Sequence, residues 1–174
     1  MIFVGSYWWA REAAADLDPW HIISIMDPGA IFTIPHGPSL VRHIKIGAHD
    51  VVMDQHRLGK LYTSPSPRHV RELVRFAACW DGKGKVLIHC MAGVSRSTAA
   101  ALVILAARNP GHELEIARLM RQRSPWAAPN PRIVELADQF LKRRGTLIAA
   151  LGAMGPPDMT SSPVPMFLPS DIGG

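Results

Sequence analysis

Val86-Leu87-Ile88-His89-Cys90-Met91-Ala92-Gly93-Val94-Ser95-Arg96-Ser97 decides how the chain is read. Val86 to Ile88 is a short continuous apolar run of the kind found in strands buried on both faces. From Ser97 to Ala107 the composition turns to alanine and leucine, and Asn109-Pro110-Gly111 stops it, which is a buried helix with a stop signal. Strand, loop and helix therefore follow directly on one another, with Cys90 at the strand's end and Arg96 at the helix's start. Five residues curl between them, and the backbone N–H groups of a helix N-terminus point inward. Such a loop is an anion cradle of phosphate size.

Outward from this unit the elements alternate. Ile2 to Val4 is a short apolar run, Ser6 caps a helix from Tyr7 to Asp16, and His21 to Met26 reads as a strand. Asp27-Pro28-Gly29 is turn chemistry, Leu40 to Ile46 alternates as another strand, and residues 47 to 64 form a long polar loop holding Asp50 and Asp54. Ser66-Pro67 opens an amphipathic helix with Val70, Leu73, Val74 and Ala77 on one face. Further helices are expected over His112 to Arg123, after Asn130-Pro131, and from Gly145 to Met154. The expectation is an α/β fold: a small central, mostly parallel sheet of three or four strands, the Cys90 strand in the middle, flanked by helices. Residues 1–155 form one domain in this reading. Pro156 to Gly174 carries five prolines and no periodicity, and is expected to be a disordered tail.

Composition narrows the function classes. The 174 residues carry 19 Lys+Arg against 14 Asp+Glu, a net charge of +5; the two aspartates of the last nineteen residues leave +7 on the remainder, which favours anionic partners. The longest apolar stretch, Ala99 to Ala107, has nine residues, about half the roughly 20 a membrane-spanning helix needs. The amino-terminal residues lack a basic leader and cleavage site, and two cysteines, Cys79 and Cys90, make no disulfide framework. A cytoplasmic protein that binds neither membrane nor nucleic acid is expected. The arginines at 118, 121, 123 and 132 lack aromatic interleaving, and the eight histidines lack paired helical spacing. No metal and no cofactor is called for.

In the loop, helix dipole, amides and guanidinium all favour a negatively charged sulfur on Cys90, making it a nucleophile. Arg96 offers a planar fork for two phosphoryl oxygens. Gly93 permits a backbone angle closed to other residues and leaves room for the anion. This reading requires Cys90 to be open to solvent and Arg96 to face it. Cys79, in a helix beside Ala77 and Trp80, is read as structural.

His89-Cys90, Gly93 and Ser95-Arg96-Ser97 resemble the signature of the cysteine-dependent tyrosine and dual-specificity phosphatases, and more loosely the likeness runs from Leu40 to Leu141. The chain looks like a compact bacterial member. The resemblance implies that Cys90 attacks phosphorus to form a cysteinyl-phosphate, while Arg96 and the loop Cys90, Met91, Ala92, Gly93, Val94, Ser95 and Arg96 hold the phosphoryl group. Ser97 would stabilise the departing thiolate, and His89 would orient the loop. It also implies a general acid on a loop some thirty to forty residues upstream. Asp50, shortly after the Leu40 to Ile46 strand, is preferred, with Asp54 as the alternative. The Pro129-Asn130 step is taken as helix capping. The expected substrate is a phosphorylated protein, through phosphotyrosine and also phosphoserine or phosphothreonine. Alternatives are a phosphoinositide or other phosphomonoester phosphatase with the same loop, and a phospho-residue binding module without catalysis. Uncharged Met91, Ala92 and Val94 argue against extra phosphates in the loop.

Overall fold

The computed structural model describes residues 1–160 and 162–172. Its centre is a five-stranded sheet in the order β3-β2-β6-β1-β7. Strands β1 (Ile2–Ser6), β2 (His21–Met26), β3 (Arg42–Gly47) and β6 (Val86–Cys90) are parallel, and β7 (Met166–Leu168) joins β1 antiparallel. The remaining strands, β4 (Gln55–Arg57) and β5 (Lys60–Tyr62), form a separate hairpin. The expected mostly parallel α/β sheet is present, and β6 lies at its middle.

Strand alternation divides the molecule into two unequal layers. Ile2, Val4, Ile23, Ile25, Val86, Ile88 and Cys90 face the larger core. Against it pack α2 (Pro67–Cys79), α3 (Arg96–Arg108), α4 (Glu113–Arg123), α5 (Pro131–Phe140) and α6 (Thr146–Ala153). Phe3, Ile22 and Leu87 face the smaller one, closed by Ala10 and Ala14 of α1 (Tyr7–Leu17). In α3 every residue from Arg96 to Ala106 is buried, so this helix is apolar all round because it is covered all round. Its neighbour α2 buries only the stripe Val70, Leu73, Phe76 and Ala77. Caps match their sequence signals: Ser6 accepts the Trp9 N–H, and the Asn130 side chain accepts those of Arg132 and Ile133.

Two expectations need correction. Pro156 to Gly174 does not form a wholly disordered tail, because β7 completes the sheet edge with Met166 and Leu168 each 1 % exposed. Pro165 and Pro169 flank this strand without entering it. Positions 161, 173 and 174 of that segment lie outside the described residues. The long loop 47–64 is not structureless either, since β4 and β5 pair across Leu58 and Gly59, both at positive φ.

Candidate active site

Four parallel strands end on one edge of the sheet, and the site collects there. β6 delivers Cys90, and the loop 91–95 returns the chain into α3. Gly93 makes the loop possible in two ways. Its φ is +78°, and a Cβ there would come within 2.5 Å of the backbone of Gly5 and Ser6 at the end of β1. The space beside Gly93 is therefore filled by β1, not kept for an anion as the sequence reading expects.

The Cys90 sulfur accepts the Gly93 N–H at 3.2 Å and lies 3.3 Å from the Ser97 hydroxyl. Cys90 is only 1 % exposed. The expectation of an open thiol is thus corrected: the loop folds its own glycine amide and helix serine onto the sulfur, while Met91 and Ala92 of the same loop are exposed. Cys79 ends α2 and is exposed, on the approach to the opposite end of β6.

Arg96 turns inward and is 5 % exposed. One guanidinium nitrogen, Nη1, donates to Asp27 Oδ1 at 2.6 Å and to the Ala48 carbonyl at 2.7 Å. Both partners sit just beyond the carboxyl ends of their strands, β2 and β3. The Nε is buried without a hydrogen-bond partner among the described residues, 3.9 Å from Asp50 Oδ2. A buried charged donor lacking an acceptor is costly unless an anion supplies one.

Asp50 reaches the same place from the loop after β3. Its Oδ1 accepts from the Ser95 hydroxyl at 2.7 Å and from the Asn130 amide at 2.8 Å, leaving Oδ2 toward Arg96. The Ser95 hydroxyl turns to donate to Asp50 and, among the described residues, makes no cap bond to the first N–H groups of α3. Asp54 is elsewhere. Its carboxylate takes the Ser64 N–H and hydroxyl across the base of the hairpin, and those bonds hold it below the usual carboxylate range.

His89 faces the α1 side of the sheet. Its Nε2 is 2.5 Å from the Ser24 hydroxyl, which is 2.7 Å from His43 Nε2. A hydroxyl has one proton to donate, so this chain orients the two rings reciprocally. Burial pushes His89 down to about 4, partly opposed by the Cys90 backbone and reinforced by His43. Burial also takes His43 down to about 4, with Lys45 and His36 adding to it.

The structure therefore joins Cys90 to Ser97, and Asp50 to Ser95 and Arg96, on the loop and helix that follow β6, places the His89 side chain against Ser24, and leaves Asp54 bonded to Ser64. It adds two side chains that sequence reasoning passed over. Asp27 was legible as turn chemistry, but its place at the carboxyl end of a parallel strand is the signal that marks a site residue. Asn130 does cap α5, and its amide also holds Asp50.

No family model and no curated protein matches the sequence. Solved structures do match in shape. The human tyrosine phosphatase-like serine/threonine/tyrosine-interacting protein superposes with a TM-score of 0.60 at 21% identity, covering 82% of this chain and 92% of that one. The chain has the dual-specificity phosphatase fold. The Yvh1 phosphatase domain from Chaetomium thermophilum gives 0.56 at 21% identity, over 84% of this chain and 93% of that one. PTPMT1 in complex with PI(5)P gives 0.60 at 15% identity, over 82% and 91%.

Proposed function

We propose that the chain is a phosphomonoester hydrolase acting on phosphotyrosine, and also phosphoserine or phosphothreonine, in proteins. The observation carrying this reading is the unpartnered Arg96 Nε, buried beside a carboxylate and one loop away from a sulfur held by an amide and a hydroxyl. With Nη1 committed to Asp27 and Ala48, the edge of the guanidinium bearing Nε is the one left for phosphoryl oxygens. Because Cys90 is buried, this reading requires the loop 91–95, exposed at Met91 and Ala92, to move aside as the phosphoryl group arrives.

In the first step the Cys90 sulfur bonds to phosphorus as the ester P–O bond breaks, and the departing oxygen takes a proton from Asp50. Oδ2 is the oxygen suited to carry that proton, because Oδ1 already accepts two hydrogen bonds. In the second step water attacks phosphorus, Asp50 takes its proton, and the S–P bond breaks. The Ser97 hydroxyl beside the sulfur steadies the thiolate as it leaves.

The fold alone does not imply hydrolysis, since one structure sharing it is described as phosphatase-like and interacting. Another holds a phosphoinositide. Turnover on phosphotyrosine, phosphoserine and phosphothreonine peptides and on PI(5)P vesicles separates these readings. We expect hydrolysis of phosphotyrosine peptide above the lipid, falling at least about 10⁴-fold in Cys90→Ser while peptide binding survives. Binding by the wild type without phosphate release would replace hydrolysis by capture.

A further inference from the structure

Away from the catalytic edge, a groove of about 710 Å³ runs along the outer side of β3, with α2 as its other wall. β3 is the last strand of the sheet on this side. The N–H groups of Arg42 and Ala48 donate inward to the Trp20 and Met26 carbonyls. Backbone groups alternate along a strand, so the N–H and C=O of His43, Lys45 and Gly47 point outward into the groove. No hydrogen bond among the described residues takes them. This is an open ladder edge about 20 Å long for its six residues.

The opposite wall is strongly cationic. Arg68, Arg71 and Arg75 recur on one face of α2, are exposed, and make no ion pair among the described residues. Glu72 is the one acidic lining residue among those described, and it lies 3.7 Å from Arg42 across the groove. Burial holds His43 and His69 below the ordinary histidine value, so the positive charge resides in the arginines. Charges such as Arg42 and Lys45 on the edge itself discourage unplanned pairing. Three unpaired arginines on the facing helix do something different, because they reward only an incoming strand that carries negative charge.

We propose that the β3 edge binds an extended acidic peptide segment of a partner protein, which adds a strand to the sheet while its carboxylates meet Arg68, Arg71 and Arg75. Strand addition supplies affinity through main-chain hydrogen bonds, and the arginine wall supplies selection. A groove with an open backbone ladder along one wall favours a peptide over a membrane surface or a nucleic-acid duplex. The site uses none of the residues around Cys90, so it stands or falls apart from the catalytic reading.

The test uses the full chain and a labelled short peptide alternating glutamate and valine. Controls are its lysine–valine counterpart and the same acidic peptide with alternate backbone nitrogens methylated, which keeps the charge and removes the ladder. Fluorescence polarisation should show binding of the acidic peptide that weakens as salt rises. Affinity should fall at least about tenfold for the methylated peptide and for Arg68→Gln/Arg71→Gln/Arg75→Gln. Deuterium uptake at the His43, Lys45 and Gly47 amides should slow in the complex. The methylated-peptide arm needs no variant to fold. Equal binding of the methylated peptide, no preference over lysine–valine, or tighter capture of single-stranded RNA or anionic vesicles through the same arginines would overturn the proposal.

Discussion

The segment from Val86 to Arg108 and the segment from Gly47 to Ser64 meet at one site on opposite terms. In the first, the strand and nearly all of the helix are buried, and each residue type answers to a packing constraint. In the second, most residues from Val52 to Leu61 are exposed, and a single side chain, Asp50, is carried to the loop. Cys90 and Arg96 are thus held by the core, while the Asp50 carboxylate is held by two hydrogen bonds from outside its own loop. Precision at this site comes from burial on one side and from borrowed donors on the other.

The contrast can be broken most violently at Gly93. An alanine there must adopt a positive φ and drive its Cβ into the backbone of Gly5 and Ser6, neither of which can yield cheaply. Gly93→Ala should cost several kcal/mol, on the order of 3 or more, and abolish turnover; urea unfolding beside an activity assay measures both. An unchanged unfolding midpoint would mean that β1 does not enforce the loop.

Asp50→Asn should slow release of poor leaving groups by about 10² to 10⁴, with little effect on stability, whereas Asp54→Asn should leave turnover within about twofold. Rates on substrates of graded leaving-group pKa check this, because loss of an acid matters least when the leaving group needs no proton. Reversal of the two effects would move the acid to the hairpin.

The buried side should also be the acid-sensitive one. His89 has a folded value of about 4 against an ordinary 6.5. Its neutral ring therefore contributes stability that is present above about pH 6.5 and is lost as pH falls toward 4, amounting to about 3 kcal/mol at the lower end. His43 acts in the same direction, less strongly because it is more solvated. Urea midpoints at pH 7 and pH 4.5 should differ accordingly, and His89→Gln should flatten the difference. The carboxylates Asp18, Asp54 and Asp171 are held low by their hydrogen bonds, so their loss falls below this window.

At the exposed side the expected effects are small. Leu58 and Gly59 form a two-residue hairpin turn with φ of +50° and +74°, and Leu58 is 97 % exposed. Leu58→Asn should raise stability by about 0.5 to 1 kcal/mol without changing turnover, as thermal unfolding would show.

That turn explains one limit of the sequence. Hairpins announce themselves by Asn-Gly or Asp-Gly, and Leu58-Gly59 does not; the flanking strands are three residues each with no buried face to impose alternation. β7 is hidden for a related reason, since a strand of three residues between prolines borrows its ladder from β1. By contrast β6, α3 and the caps of α1 and α5 are legible because composition and burial agree. Cys90 and Arg96 are readable from their place on that unit, whereas Ser97 and Asp50 enter only through the resemblance of the segment from His89 to Ser97 to the phosphatase signature. Asp27 and Asn130 escaped because a turn aspartate and a capping asparagine already had sufficient local explanations, and only the tertiary fold lends each a second partner.

The central claim is that the Cys90 sulfur, though covered, attacks phosphorus. Rapid acid quench of the wild type during turnover of an aryl phosphate, followed by peptide mapping, tests it directly. The account predicts a phosphoryl adduct on Cys90 and on no other residue, appearing within the first turnover. Phosphate release with Cys90 unmodified throughout would contradict it.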